Sequence, residues 1–313
     1  MLGRTASGLF WMARLLERAE NTSRLVEAGF RMALTRSQPG EEEWRSVLVT
    51  AGCHDTYRAR HDMIDGAKVA DFALRDRSNP SSVLSTLHAA RENARMTRTA
   101  LTREMWEAIN DFWMTLRDAL KRPPSETDLP EILTMIRQQG AQVRGATTGT
   151  MLRNDIYNFV ILGIMCERAD NTARILDTKY YVLLPTSASV GSPLDNVQWE
   201  MILRSASAQR SFHWLNGGSV TPRSIADFLV FDTRMPRSLA YCYQTITHEL
   251  DCLFRQYGQR VMAHDLATSL EASLAATNVD SVFDSGLHEF LTDFLGRNAA
   301  LSTQIERDYR FAE

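Results

Sequence analysis

An all-α fold, a multi-helix assembly of two diverged tandem helical repeats with pseudo-two-fold symmetry, follows from three features of the sequence. Apolar residues recur at helical spacing between Gly and Pro punctuation points. No stretch shows the period-2 alternation of a half-buried strand, and one eight-residue segment returns far downstream.

In chain order, the spacing predicts helices near Ser7 to Arg36, Glu41 to Asp62, Pro80 to Thr102, Glu104 to Leu120 and Pro130 to Thr150. Further helices are expected near Leu152 to Val182, Asp195 to Leu215, Pro222 to Leu229, Pro236 to Tyr257, Met262 to Ala276 and Val282 to Tyr309. Breaks fall at Pro39-Gly40, Pro123-Pro124, Pro185, Gly191 to Pro193 and Gly217-Gly218. Asn79 before Pro80 and Thr221 before Pro222 read as N-caps followed by proline in the first helical turn, where its missing N–H costs nothing.

The repeat is carried by Glu17-Arg18-Ala19-Glu20-Asn21-Thr22-Ser23-Arg24, which returns as Glu167-Arg168-Ala169-Asp170-Asn171-Thr172-Ala173-Arg174 at an offset of 150. Trp44, Leu48 and Ala51 return as Trp199, Leu203 and Ala206 at 155. Phe72, Asp76, Pro80 and Ser82 return as Phe228, Asp232, Pro236 and Ser238 at 156. A drift of this kind is what loop insertions leave between copies of one unit. The chain therefore reads as one domain over 1–313, with repeat one at about 1–150 and repeat two at about 151–313.

With 35 Lys and Arg against 38 Asp and Glu, a net charge of −3 offers no bulk attraction to nucleic acid or anionic lipid, so neither is an expected partner. The first residues enter a charged amphipathic pattern without a signal-peptide core, and no later window is apolar enough to span a membrane. Cys53, Cys166, Cys242 and Cys252 lack metal-finger spacing and read as reduced, mostly buried thiols of a cytoplasmic protein.

On a helix, Glu17, Asn21 and Arg24 form one polar stripe, with Leu15, Ala19, Thr22 and Val26 opposite. Glu167, Asn171 and Arg174 repeat the stripe, but Phe159 to Met165 are apolar all round, so the second copy should be buried, stripe included. Buried Glu, Asn and Arg must satisfy one another or a ligand, and a stripe present in both repeats makes two-fold pairing geometrically natural. Two readings stay open. Glu17, Arg18, Asn21, Arg24, Glu167, Arg168, Asn171 and Arg174 either form a structural network or line a site where Arg holds a carboxylate or phosphate and Glu17 or Glu167 handles a proton.

A third cluster, Arg91-Glu92-Asn93-Ala94-Arg95 with Arg98, puts Arg91, Arg95 and Arg98 on one helix face. Their counterparts Thr247, Asp251 and Phe254 carry no cation, so this candidate anion or partner surface belongs to the first copy alone. Glu104 and Trp106 stand close by in sequence, with core anchoring the simpler role for the tryptophan. No metal or cofactor is expected: no Glu-x-x-His pair, Gly-rich phosphate loop or Gly-x-Ser-x-Gly elbow is present, and His54, His213 and His248 are isolated.

These motifs resemble the alpha-E family of bacterial helical proteins. The carriers are Leu2-x-Arg4-Thr5-Ala6, Phe10-Trp11-Met12-x-Arg14, both Glu-Arg segments, Ala90 to Arg95, Glu104-Met105-Trp106-Glu107 and Phe231-Asp232-x-x-x-Pro236-Arg237-Ser238. The chain departs from the family pattern at Phe10 before Trp11, where a Tyr is usual, and at Ser23, where Ala is usual. The resemblance implies association with circularly permuted ATP-grasp ligases and transglutaminase-like proteases. The expected function is then a helical accessory or substrate-presenting component of a peptide or amide ligation and processing system, with an ATP-grasp ligase and a peptide or carrier as partners. The alternatives are an enzyme using a Glu/Asn/Arg cavity between the motif helices, and a structural interaction module.

Overall fold

The computed structural model describes residues 1–34, 40–182, 193–217 and 220–312, with side chains described outside 178–182 and 193–197. Among the described residues there is no strand, and the protein is all-α. They form two compact units, Met1–Glu167 with Tyr309–Glu313, and Arg168–Asp308; the division falls inside one continuous helix.

The first unit begins with α1 (Gly3–Ala33), whose residues from Glu17 to Gly29 are buried on nearly every side. Helices α2 (Glu41–Thr50), α3 (His54–Arg58), α4 (Gly66–Leu74) and α5 (Val83–Met96) follow, then a 3-10 turn at Arg98–Ala100, α6 (Arg103–Ala119) and α7 (Leu129–Thr150). Helix α1 is the hub against which α2, α4, α5 and α7 pack, and α6 lies between α5 and α7. The start of α8 (Asp155–Val182) closes the unit: an added Cβ on Gly163 would stand 2.3 Å from the Phe10 carbonyl oxygen, so the two backbones touch.

The second unit holds the rest of α8, then α9 (Pro193–Ser205), α10 (Gln209–Asn216), α11 (Pro222–Phe231), α12 (Leu239–Tyr257), α13 (Met262–Ala276), α14 (Val279–Ser285) and α15 (Leu287–Asp308). Its packing runs α11 on α12, α12 on α13 and α13 on α15.

Several expected boundaries are corrected. Helix α4 lies where none is expected, and three expected long helices are each two. Gly52 (φ 66) separates α2 from α3, Ser207 (φ 53) separates α9 from α10, and Gly286 (φ 102) separates α14 from α15; each left-handed residue turns the chain out of its helix. Asn79 is not an N-cap: its amide donates to the Phe72 carbonyl at 3.1 Å and its oxygen accepts from Ser81 N–H, pinning a turn. Ser82 caps α5 instead, accepting from Ser85 N–H at 3.2 Å, and Ser238 caps α12 after Pro236 in the same way. Thr221 caps α11 as expected, in a reciprocal capping box with Ser224. The expected end of the first helix at Arg36 and the breaks at Pro39 and Pro185 lie outside the described residues.

The matched segments share backbone detail. The Cys53 N–H bonds to Leu48 O and the Ala208 N–H to Leu203 O, an offset of 155; Ser82 N–H bonds to Asn79 O and Ser238 N–H to Met235 O, an offset of 156. The Tyr57–Phe72 edge contact, with ring centroids 5.2 Å apart, has its counterpart in Phe212–Phe228 at 5.6 Å. Cys53, Cys166 and Cys242 are buried and Cys252 is half-buried, all as free thiols. Burial pushes the Cys53 thiol up to about 11.

Candidate functional site

Helix α1 delivers Arg14 and Arg18 one turn apart on the side that meets the start of α8, where the Gly163 contact brings Glu167 within reach. Glu167 is only 5% exposed. Arg18 donates from Nη2 to its Oε2 at 2.9 Å, and Arg14 from Nε to the same oxygen at 3.0 Å. Burial alone would push the Glu167 carboxyl up, but the bonds from Arg18 and the charges of Arg18 and Arg14 overcome it and hold the group below the usual carboxylate range. Arg14 also lies over the Trp11 ring, 4.9 Å from its centroid, which fixes the guanidinium in place.

A second buried carboxylate, Glu20, accepts from Arg24 one turn along α1 and from Arg144 on α7. Its approach to α7 depends on Gly140, where a Cβ would stand 2.6 Å from Glu20 Oε2. Between these groups is a cavity of about 30 Å³, lined by Glu17, Glu20, Arg144 and Thr147 together with Phe112 and Val160. That is enough to admit water. Glu17 and Asn21 are both buried, so the polar stripe of the first copy is as internal as that expected of the second.

In the second unit the motif does different work. Arg168 Nη1 donates to the Pro236 carbonyl at 3.2 Å and Thr172 Oγ1 to the Arg237 carbonyl at 2.8 Å, so the Glu-Arg segment holds the turn that launches α12. Ser238 closes that turn by donating to Asp232 O at 2.6 Å. Asn171 is buried, but Arg174 is exposed and pairs with Asp170, so the expectation that the whole second stripe is buried fails at its last residue.

The expected cationic face is not a continuous helix face. Helix α5 stops at Met96, and Arg98 sits in the 3-10 turn with its Nη1 on Leu101 O at 3.3 Å. Arg91 donates to Asn110 at 2.7 Å, Arg95 pairs with Glu92 at 2.8 Å, and Asn93 donates to Ala89 O. Trp106 is half-buried with Arg91 and Arg98 over its ring at 5.9 and 5.5 Å, so it seats two guanidiniums rather than anchoring the core; Glu104 is exposed. In the sequence Arg14 stands out only through the family resemblance and Arg144 not at all as a partner of the motif; the close-approach glycines Gly140 and Gly163 are the signal for which helices meet. Among the described residues no three His, Cys, Asp or Glu side chains converge as a metal site.

The family described as "a predicted alpha-helical domain with a conserved ER motif" matches residues 1–309. The chain belongs to this family, Alpha-E. Curated relatives of this Alpha-E chain include an uncharacterized protein of Mycobacterium bovis (strain ATCC BAA-935 / AF2122/97) and one of Mycobacterium tuberculosis (strain CDC 1551 / Oshkosh). Each is 24% identical over 329 aligned residues, covering 95% of this chain and 35% of the relative. The Alpha-E chain thus spans about a third of the length of the curated relatives it matches. No solved structure matches it. Among its described residues no helix is long and apolar enough to cross a membrane.

Proposed function

We propose that this Alpha-E chain is a helical accessory or substrate-presenting component of an ATP-grasp-linked peptide or amide ligation and processing system, acting in the cytoplasm beside a separate ligase. The observation that carries the reading is the state of the motif: Glu167 is clamped by Arg14 and Arg18, and the cavity beside Glu17 and Glu20 is small, about 30 Å³. A group held this way organises helices, and its charge is already answered within the chain. Relatives that carry a matching region in a chain about three times as long support a part that works beside other parts. The ATP-grasp link itself rests on the family resemblance.

The same proposal includes two diverged tandem helical repeats, about 1–150 and about 151–313, with pseudo-two-fold symmetry. The equal turn geometries at offsets of 155 and 156 support it.

The test is a pull-down of the purified chain against the ATP-grasp protein of the same genome, run beside thermal unfolding of Glu17→Gln, Glu167→Gln and the Arg91→Ala/Arg95→Ala pair. Association of wild type, with the Glu167 variant destabilised, is expected. No association, together with a Glu17 variant that stays folded but loses a measurable turnover, would replace this reading with the enzyme one.

A further inference from the structure

Trp106 stands at the corner where α5 gives way to α6, half-buried, with the Arg91 and Arg98 guanidiniums over its ring at 5.9 and 5.5 Å. In the tandem architecture proposed above, the second unit has the same corner between α12 and α13. The helix caps Ser82 and Ser238 align at an offset of 156, which sets Arg98 against Phe254. The buried faces of α6 and α13 align at 158, Met105 and Ile109 with Ala263 and Ala267, which sets Trp106 against His264. Phe254 and His264 are in contact as well, with ring centroids 6.1 Å apart. There the corner is closed: His264 is buried, accepts from Val261 N–H at 3.1 Å on Nδ1 and bonds through Nε2 to Leu250 O at 3.0 Å. The second unit thus builds this corner from two rings without a guanidinium, so the arginines of the first unit are not required to make it.

Those arginines carry charge that the chain does not fully answer. Arg98 donates from Nη1 to Leu101 O at 3.3 Å, and among the described residues no carboxylate lies within ion-pair distance of it. Arg91 donates from Nε to the neutral Asn110 amide oxygen at 2.7 Å, and the carboxylate it approaches, Glu92 at 3.5 Å, is held closer by Arg95 at 2.8 Å. Arg91, Arg95 and Arg98 therefore have one carboxylate between them. Glu107 is taken by Arg103 at 2.7 Å, and Glu104 is exposed and pairs with neither Arg91 nor Arg98. The Trp106 indole N–H has no acceptor among the described residues, which leaves a further donor at the same corner.

We propose that Arg91, Arg98 and Trp106 form a binding site for a dianionic phosphate group, carried by a small phosphate monoester or present as the free ion. Guanidinium forks offer the paired N–H donors that phosphate oxygens accept, and a dianion answers two cations where a carboxylate answers one. Packing on a single indole orients both forks before the ligand arrives, so less side-chain freedom is lost on binding. The site belongs to the first unit and goes beyond the accessory reading without depending on it.

Calorimetric titration of the full chain with phenyl phosphate, inorganic phosphate and acetate tests the site. Both phosphates should bind, and acetate should bind roughly tenfold more weakly. Arg98→Met keeps an unbranched side chain over Trp106 and removes the charge, so circular dichroism should be unchanged while phosphate affinity falls roughly tenfold. Glu92→Gln removes the carboxylate that competes for Arg91 and should tighten binding, the opposite of what a loosened fold would do. Arg117→Gln, at the far end of α6, should leave the affinity as it is. Tighter binding of phenyl phosphate than of the free ion would mark an ester as the ligand and equal binding the ion itself, and either supports the site. The proposal is overturned if neither phosphate binds, if acetate binds as well as they do, or if Arg98→Met keeps wild-type affinity. Association with the ligase is measured apart, so its failure leaves this result standing.

Discussion

At the scale of single residues, Glu167 shows how a buried charge becomes a structural device. It is nearly inaccessible, and two arginines answer it, both reaching from α1. Removing one member of such a set strands the others, which costs about 3 kcal/mol for a well-paired buried group. Glu167→Gln keeps the shape and removes the charge, so its unfolding free energy, read from urea denaturation, should fall by an amount of that order, with the helical circular dichroism of the folded state unchanged. The pH dependence has a definite sign. The folded carboxyl sits below its ordinary value of 4.5, so its stabilisation is complete above that value and is lost as pH falls through the folded one. Stability of wild type should therefore drop more steeply below about pH 4.5 than that of Glu167→Gln, and parallel acid-unfolding curves would refute the assignment. The chemistry of this residue was legible in the sequence as a charge on an apolar helix; its partners were not. Helical spacing places Glu17 and Arg24 on one stripe; the structure pairs Arg24 with Glu20 and brings Arg14 and Arg18 to Glu167, because partner choice depends on which helices meet.

At the scale of elements, close approach is set by glycines, and two of them make opposite predictions. Gly163 lies against the Phe10 carbonyl, a backbone atom inside α1 that cannot swing aside. Gly163→Ala should therefore force α1 and α8 apart at a cost of about 1–3 kcal/mol. Gly145 faces open space, and Gly145→Ala should raise stability by about 0.5–1 kcal/mol through helix propensity and a less flexible unfolded chain. Chemical denaturation of the two variants beside wild type decides both signs. The same local physics explains which elements were legible. Long helices with an apolar face, such as α6 and α12, stood out by spacing. Helix α4 did not, because its nine residues are short for a periodic signal and its cap Asp65 lies in a polar loop. The breaks at Gly52 and Gly286 were visible only as single glycines within continuing helical patterns, and the break at Ser207 was hidden altogether, since a serine in left-handed backbone carries no compositional mark.

At the scale of the whole molecule, the chain leaves the first unit at Glu167 and supplies that unit again with Tyr309 to Phe311. Those last residues are part of its core. Phe311 meets Phe10 at a 60° tilt with centroids 5.5 Å apart and lies 6.1 Å from Phe159, while Tyr309 meets Phe159 edge-on at 4.9 Å. The Arg310 carbonyl oxygen would stand 1.9 Å from a Cβ on Gly3, so the last turn closes directly onto the first turn of α1. The repeat pattern gave no hint of this, because Tyr309 to Phe311 have no matched segment in it and read only as the end of a helix. Phe311→Ala removes a ring shared by α1 and α8 and should cost about 3 kcal/mol. The loss is local in origin: amide hydrogen exchange should quicken in α1 and the first turns of α8, where the aromatic cluster sits, and stay near wild type in α11, α12 and α13, which belong to the other unit. Equal acceleration in both sets of helices would mean that the two units open as one cooperative body, and the division at Glu167 would then describe packing density rather than folding behaviour.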